Sequence, residues 1–464
     1  MKRFLCLWLV VFLFLICTGC GDTFRPVIIP NPPKFPDPRA SHSVVAISDN
    51  NTGVALDPPQ SDPGSVMSVN VSGDTNVGVV DVGLAPVHAV QQTANQVLIV
   101  NHAVTGAIGD SLTKVTFFGT QIFNTTTISL PPDSAPNFVA STESGTAYVS
   151  LPGFVPPSIG VVNTSSNALL TTIPVGDNPV AIAETPDAKK LYVANNGSGT
   201  VSNFNTIDRS PRNVPPITLS SPPLWLVARS DSQRVYVLES NGTLATLDTT
   251  STAGPDSVTE SSFSAPGAAY MVYDGHLNRL YIPSEDPVNG AQLVIVDVSS
   301  SQPPPPVKVL ITTVPPSSRS PQDPCASTGT SPLTAVSVAA LPDGSRVYVG
   351  SFYTDGAGNL CPQVTVINTS GNTVKTIAPV PGFSGLPPFS PPICATTRFR
   401  LTMVAGGDSS RVYLASCDGG NVNIINTAND TYLLNLPAPA SSRAPIPPSN
   451  QPPPQNPVFL IAGP

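Results

Sequence analysis

Four cysteines in the last third of the chain, Cys325, Cys361, Cys394 and Cys417, and four histidines, His42, His88, His102 and His276, are the residue types best suited to nucleophilic, metal or acid–base chemistry. Their spacing argues against most of it. No Cys-x-x-Cys pair and no clustered His supplies a ligand set, so no metal is expected. The histidines are scattered, and each reads as a surface or locally satisfied side chain rather than a base. No serine stands in a Gly-x-Ser-x-Gly elbow, no glycine-rich phosphate loop joins a strand to a helix, and no His-Glu-x-x-His occurs. No cofactor is expected. What remains is disulfide chemistry, because an exported chain pairs an even set of cysteines, with three connectivities open to four.

Export is suggested by the first twenty residues. Lys2 and Arg3 precede an uncharged apolar run from Phe4 to Ile16, followed by Cys17-Thr18-Gly19-Cys20. A run of about thirteen residues is too short for a spanning helix, which wants roughly twenty, so residues 1–19 read as a signal peptide. The small residues before Cys20 resemble the bacterial lipobox, which implies that Cys20 is lipidated and becomes the mature N-terminus. Cys17 departs from that pattern, which usually has Leu or another aliphatic there. Residues 20–40 then read as a tether: six prolines lie between Asp22 and Ala40, with almost no apolar periodicity. At ~3.1 Å per residue such a segment could hold a domain roughly 50 Å from a membrane. The expected address is the cell envelope on the extracytoplasmic side, periplasmic or cell-surface, with the membrane reached through the lipid.

Residues 41–464 form the body. Only 11% of the chain is charged, while 55 of 464 residues are Pro and 34 are Gly. No run of good helix formers exists outside the signal, so the class is all-β. Without Lys2 and Arg3 the chain has 19 basic against 29 acidic residues, a net charge of −10, and no basic stripe. Nucleic acid is therefore not an expected partner.

One short phrase recurs seven times: an Asp or Gly turn, a basic or polar residue, then an alternating strand. Its centres are Leu98, Tyr148, Tyr192, Tyr236, Tyr281, Tyr348 and Tyr413, spaced by 50, 44, 44, 45, 67 and 65 residues. A period in the forties with several short strands per unit is the mark of a β-propeller of four-stranded blades. Lettering the strands a to d, Pro186-Asp187-Ala188-Lys189, Pro342-Asp343-Gly344-Ser345 and Asp274-Gly275-His276 read as a-to-b turns. Strand c commonly ends in Asn-Thr or Asp-Thr, as at Asn163-Thr164, Asn205-Thr206, Asp248-Thr249, Asn368-Thr369 and Asn426-Thr427. These turn residues read as structural, since one carboxylate per turn falls short of a calcium cage. Val44 to Ser48, Val66 to Val71 and Val77 to Val82 read as three N-terminal strands lacking an inner partner. Residues 456–462 repeat the pattern of residues 178–183, an inner strand, so the C-terminus can supply strand a to the first blade and close the ring. Eight blades follow, with seven the alternative if the N-terminal strands only cap the ring. Proline tracts at 303–306, 387–392 and 445–454 read as stiff surface loops.

Tyr192-Val193-Ala194-Asn195, with Asn196-Gly197-Ser198-Gly199-Thr200 and Asn205-Thr206, resembles the repeat of the YVTN-type β-propeller proteins, and residues 366–374 resemble the second half of that repeat. The resemblance implies a propeller and leaves function open, because relatives include extracellular surface proteins and lactonase-like enzymes. Cys325 and Cys394 fall in d-to-a connections, and Cys361 and Cys417 just after a Tyr strand. Both kinds of connection open on one face of a propeller, so Cys325 with Cys361 and Cys394 with Cys417 is the preferred pairing. The functional expectation is a lipid-anchored, monomeric binding or scaffolding module with a protein or glycan partner on one face. The alternative is a lactonase-like enzyme with acid–base groups at the channel mouth. Clustered carboxylate, His or Arg groups there would favour catalysis, and the low charge content favours binding.

Overall fold

The computed structural model describes residues 43–50, 63–102, 109–142, 145–300, 304–326, 332–382, 394, 400–438 and 455–462; the signal, Cys20, the tether and His42 lie outside them. Eight four-stranded antiparallel sheets follow the chain in order. Blade 1 is composite. Its strands b, c and d are Ser43–Asn50, Ser65–Asn70 and Thr75–Asp81, and its strand a is Gln455–Ala462 from the far end of the chain. Residues 86–129, 139–174, 179–218, 223–264, 272–310, 334–379 and 401–437 form blades 2 to 8. Each inner strand packs against those of the blades on either side, all the way round. The protein is an eight-bladed β-propeller.

Closure runs through the residues the C-terminal repeat singles out. Val44 to Asn50 pair antiparallel with Ala462 to Gln455, with a bulge opposite Ile47 and Ser48. The Arg411 Nε and Tyr413 hydroxyl of blade 8 also reach across to Asp74 of blade 1, at 2.8 and 3.2 Å.

The recurrent phrase is the joint between blades. Tyr192, Tyr236, Tyr281, Tyr348 and Tyr413 are fully buried, each standing between its own sheet and a neighbour. The Tyr192 hydroxyl donates to Asp256 of blade 5 at 2.6 Å, and that of Tyr348 to Asp430 of blade 8. Two residues before the tyrosine, the cation reaches the next blade's strand c terminus. Lys190 donates to the Thr249 carbonyl, Arg279 to that of Thr369 at 2.8 Å, and Arg346 to that of Thr427 at 2.5 Å. The same threonines turn their hydroxyls back on their own blade's a-to-b turn: Thr249 to the Ser232 carbonyl, Thr369 to that of Gly344 and Thr427 to that of Ser409. Turn aspartates are spent locally, as where Asp343 and Asp408 accept the amides of Ser345 and Ser410, both at 2.9 Å. Bonds to a charged donor contribute about 1.5–3 kcal/mol each, and here they recur at the joints that follow blades 4, 6 and 7.

Antiparallel order places the a-to-b and c-to-d hairpins on one face, the turn face, and the b-to-c and d-to-a connections on the other, the loop face. Removing Asn456 to Pro464 should leave blade 1 without its inner strand and expose the apolar faces beside it. We expect the melting temperature of the full-length protein to fall by at least 10 °C, of the order that losing several kcal/mol produces in a large domain. An unchanged melting temperature would contradict closure by this strand.

Candidate functional site

The inner strands share a local device near their loop-face ends. Pro86, Pro179 and Pro223 occupy the first paired positions and Pro457 the third, where the missing N–H costs nothing on an edge. One residue later the register slips, between Pro86 and His88, Pro179 and Ala181, Pro223 and Trp225, and opposite Pro457 and Phe459. A bulge there re-aims the following side chain. In blades 1, 2 and 5 that side chain is aromatic: Phe459, His88 and Trp225. Phe138 of blade 3 and Tyr270 of blade 6 precede their inner strands and join them.

These rings meet across the axis. The His88 imidazole stacks on Phe138 with centroids 3.8 Å apart and lies 4.8 Å from Phe459. Trp225 meets Phe138 edge-on at 5.3 Å, Tyr270 at 5.0 Å and His88 at 6.4 Å. His88 and Trp225 are three blades apart, so a separation of 6.4 Å means that the rings reach across the channel at this level. Phe138, Trp225, Phe459 and His88 are buried, and Tyr270 is half-buried at the lip. Burial pushes the Tyr270 phenol up to about 12, so it stays protonated and can donate at any ordinary pH. Sequence reasoning missed this plug. The histidines are less scattered than their spacing suggests: His102, half-buried, follows strand b of blade 2, whose inner strand carries His88, while His276, exposed, lies in blade 6.

Beneath the loop face lies a belt of buried polar residues at one register position, the end of strand b. Ser48, Asn101, Asn195, Glu239, Ser284, Ser351 and Ser416 fill it in seven blades. Asn101 and Asn195 donate to the hydroxyls of Thr113 and Ser202, both at 2.9 Å, and Ser284 donates to the Pro266 carbonyl at 2.8 Å. Glu239 is the one carboxylate among them. Its Oε2 accepts from the Ser220 hydroxyl at 2.9 Å and the Ser221 amide at 2.7 Å, while Oε1 has no protein partner among the described residues.

Other charged groups of this face are held in staples between a d-to-a connection and a neighbouring loop or strand. Asp110 accepts from the Ser134 hydroxyl and the Ala135 amide. Arg319 binds Asp323 and the carbonyls of Val380 and Pro362, and Arg400 makes a two-bonded pair with Asp418 at 2.6 and 2.7 Å. Two disulfides tie the same kinds of segment, Cys325 to Cys361 and Cys394 to Cys417, with Cα atoms 5.7 and 5.6 Å apart. Loops of this length are stabilised by about 3–4 kcal/mol when closed covalently, under the chain-entropy model. Cys361 differs from its expected place in a connection. Strands b and c of blade 7 run to nine residues each, which draws Cys361 into strand c as its second residue. Asp355 lies beside this bridge, and Cys325, Asp355 and Cys361 are the one group of potential metal ligands brought together among the described residues. The sulfurs are bonded to each other, and Asp355 holds its own turn through the amides of Ala357 and Asn359. Of the proline tracts, residues 304–306 lead into strand d of blade 6; 387–392 and 445–454 lie outside the described residues.

No protein-family model and no curated relative matches this chain. Among solved structures, it is similar to apo AztD from Citrobacter koseri, with a TM-score of 0.55 at 9% identity over 91% of this chain and 99% of that one. It is also similar to the dihydro-heme d1 dehydrogenase NirN in complex with DHE, with a TM-score of 0.57 at 9% identity over 87% of this chain and 74% of that one. A candidate 6-phosphogluconolactonase from Bacteroides fragilis matches with a TM-score of 0.48 at 14% identity, over 74% and 96%. Likeness at such identities shows the fold alone.

Burial pushes the Glu239 carboxyl above its ordinary value of 4.5, against the opposing bond from Ser220. Below that value both folded and unfolded chains hold the proton; above it the unfolded chain ionises first, so the folded state loses stability as pH rises. Glu239→Gln keeps an acceptor for Ser220 and Ser221 and removes the buried charge. We expect it to raise the melting temperature by a few degrees at pH 7 and to leave it unchanged below pH 4. A loss of stability at pH 7 would show that the charge itself is needed.

Proposed function

We propose that the protein is a lipid-anchored, extracytoplasmic binding or scaffolding module that presents its loop face to a protein partner. The observation that carries this reading is where the chain enters the ring. Ser43 pairs with Asn70 at the end of strand c, and Val44 with Ala462 at the end of strand a, so the first described residues lie on the turn face. A tether from a lipidated Cys20 would join that face and leave the loop face directed away from the membrane.

Three features suit the loop face to binding. Its connections are fixed in advance by disulfides and ion pairs, which lowers the entropy lost on association. The b-to-c hairpins of blades 3 and 6 carry Val155 and Val288 at their tips, each 88% exposed. The channel on this face is crossed mainly by aromatic rings, which offer contact area, and the His88 imidazole is the one acid–base group beside the rings of Phe138, Trp225 and Phe459 that it meets. A lactonase-like activity would call for such groups gathered from several blades. Asp110, Asp323 and Asp418 are engaged in staples instead, which leaves Glu239 of a single blade with an unpartnered oxygen among the described residues.

The reading is tested on full-length protein in native envelopes. Intact mass of the extracted protein should show a chain beginning at Cys20 with acyl mass attached, and an unmodified Cys20 would remove the anchor. A photo-crosslinking residue at position 155 or 288 should give the same protein adduct, absent when the probe replaces Asn429 on the turn face. Adducts from position 429 alone, or from none of the three, would overturn the assignment of the face.

A further inference from the structure

On the turn face, a cleft of about 500 Å3 opens between blades 4 and 5. That volume lies within the roughly 300–1,000 Å3 of small-molecule sites. One wall comes from the a-to-b turn of blade 4, with Asp187 and Lys189, and from the excursion that follows strand c of that blade, with Ile207 and Asp208. The other wall is the matching turns of blade 5, with Gln233 and Thr252.

Behind the lining lies a rigid support that is tied to two lining residues, Asn205 and Thr252. Arg212, in the excursion, is fully buried and donates all five guanidinium hydrogens. Nε and Nη2 take the two oxygens of Asp256 at 2.9 and 2.6 Å, Nη2 also reaches the Ser251 carbonyl at 2.7 Å, and Nη1 reaches Asn205 and the Thr252 carbonyl at 2.8 and 3.3 Å. Asp256, also fully buried, accepts from Tyr192 at 2.6 Å and from Asn203 at 2.8 Å. A buried ion pair is weak evidence for stability, since desolvation offsets much of its attraction. What this one does is hold the residue 206–216 excursion, and so one wall of the cleft, in a single conformation.

The lining discriminates among ligand classes. Three carboxylates, Asp187, Asp208 and Asp231, oppose a polyanion. Asp231 is engaged by Arg229 through two bonds and lies below the usual carboxylate range. Asp187 does too, because the bonds from the Thr185 hydroxyl and the Lys189 amide outweigh burial, so both are anionic at neutral pH. An extended peptide would need a free strand edge. The edge of strand c in blade 4 is already occupied, with the Asn205 amide donating to Ser210 and the Arg212 amide to Asn203, both at 2.9 Å. An apolar ligand would meet too many polar groups. What fits is a molecule rich in hydroxyls with one apolar face. Asp187 offers acceptors, Lys189, 65% exposed and 3.9 Å from it, offers a cation, and Gln233 and Thr252 offer both donor and acceptor. Ile207, 87% exposed at the lip, offers a flat apolar contact for ring C–H groups.

We propose that the cleft between blades 4 and 5 is a binding site for a short neutral oligosaccharide. It is independent of the loop face and of the lipid anchor. Lys189 and Ile207 are exposed, so their variants test recognition without unfolding the ring. Full-length protein extracted in detergent is applied to an array carrying neutral and acidic glycans, and the best-retained neutral glycan is then titrated by calorimetry. The expected result is retention on neutral glycans, with Kd raised at least tenfold by Lys189→Glu and by Ile207→Asp at unchanged melting temperature. Val155→Asp should leave it unaltered. Retention on acidic glycans only, no retention on any neutral glycan, or a Kd unmoved by both variants would overturn the proposal.

Discussion

A ring of eight sheets depends on the one place where its two chain ends meet. Strand Gln455–Ala462 is the innermost element of the blade that Ser43 begins, so the first described strand of the chain is paired by the last. Each blade buries its apolar faces only against its neighbours, and an open ring would expose two of them together with two sheet edges. Val44, Ala46 and Leu460 of blade 1 lie in one apolar cluster with Tyr413, Val422 and Ile424 of blade 8. The Arg411 and Tyr413 bonds to Asp74 repeat, at the seam, the joint used between other blades.

That joint gives the sequence motif its physical meaning. A basic residue, an intervening apolar one and a tyrosine on strand b reach forward to the next blade, and the threonine after strand c receives the cation on its carbonyl while its hydroxyl secures its own turn. Residues that look like candidates for chemistry, the turn aspartates and the strand-end asparagines, are used in holding hairpins. The motif varies where the partner varies. In blade 5, Arg234 reaches the Ser300 carbonyl of blade 6 at 2.9 Å, and the Tyr236 hydroxyl has no protein partner among the described residues.

Strand order, blade number and the closing strand could be read from the chain because they rest on local alternation and on one repeat compared with another. Asn456-Pro457-Val458 matched Asn178-Pro179-Val180, and both turned out to begin inner strands with a bulge after the proline. The aromatic plug was not legible. Its members are spread from His88 to Phe459, only some follow the proline bulge, and blade 4 has Ala181 at the equivalent position. Nothing in local spacing says that five rings from five blades converge on one axis. Cys361 was displaced by the extension of two strands, which the spacing of 65 residues between Tyr348 and Tyr413 hinted at without locating. The blade 4–5 cleft was invisible for a related reason, since Arg212 and Asp256 are 44 residues apart and belong to different blades.

The ring is closed, and its seam should be as firm as its other joints. Native-state amide hydrogen exchange measures this directly, because protection reports the opening free energy of each strand. The amides of residues 43–50 and 455–462 that pair with each other should exchange as slowly as those pairing Pro179–Glu184 with Lys190–Asn195 inside blade 4. Exchange of the C-terminal strand at the rate of a frayed terminus, with blade 4 still protected, would contradict it.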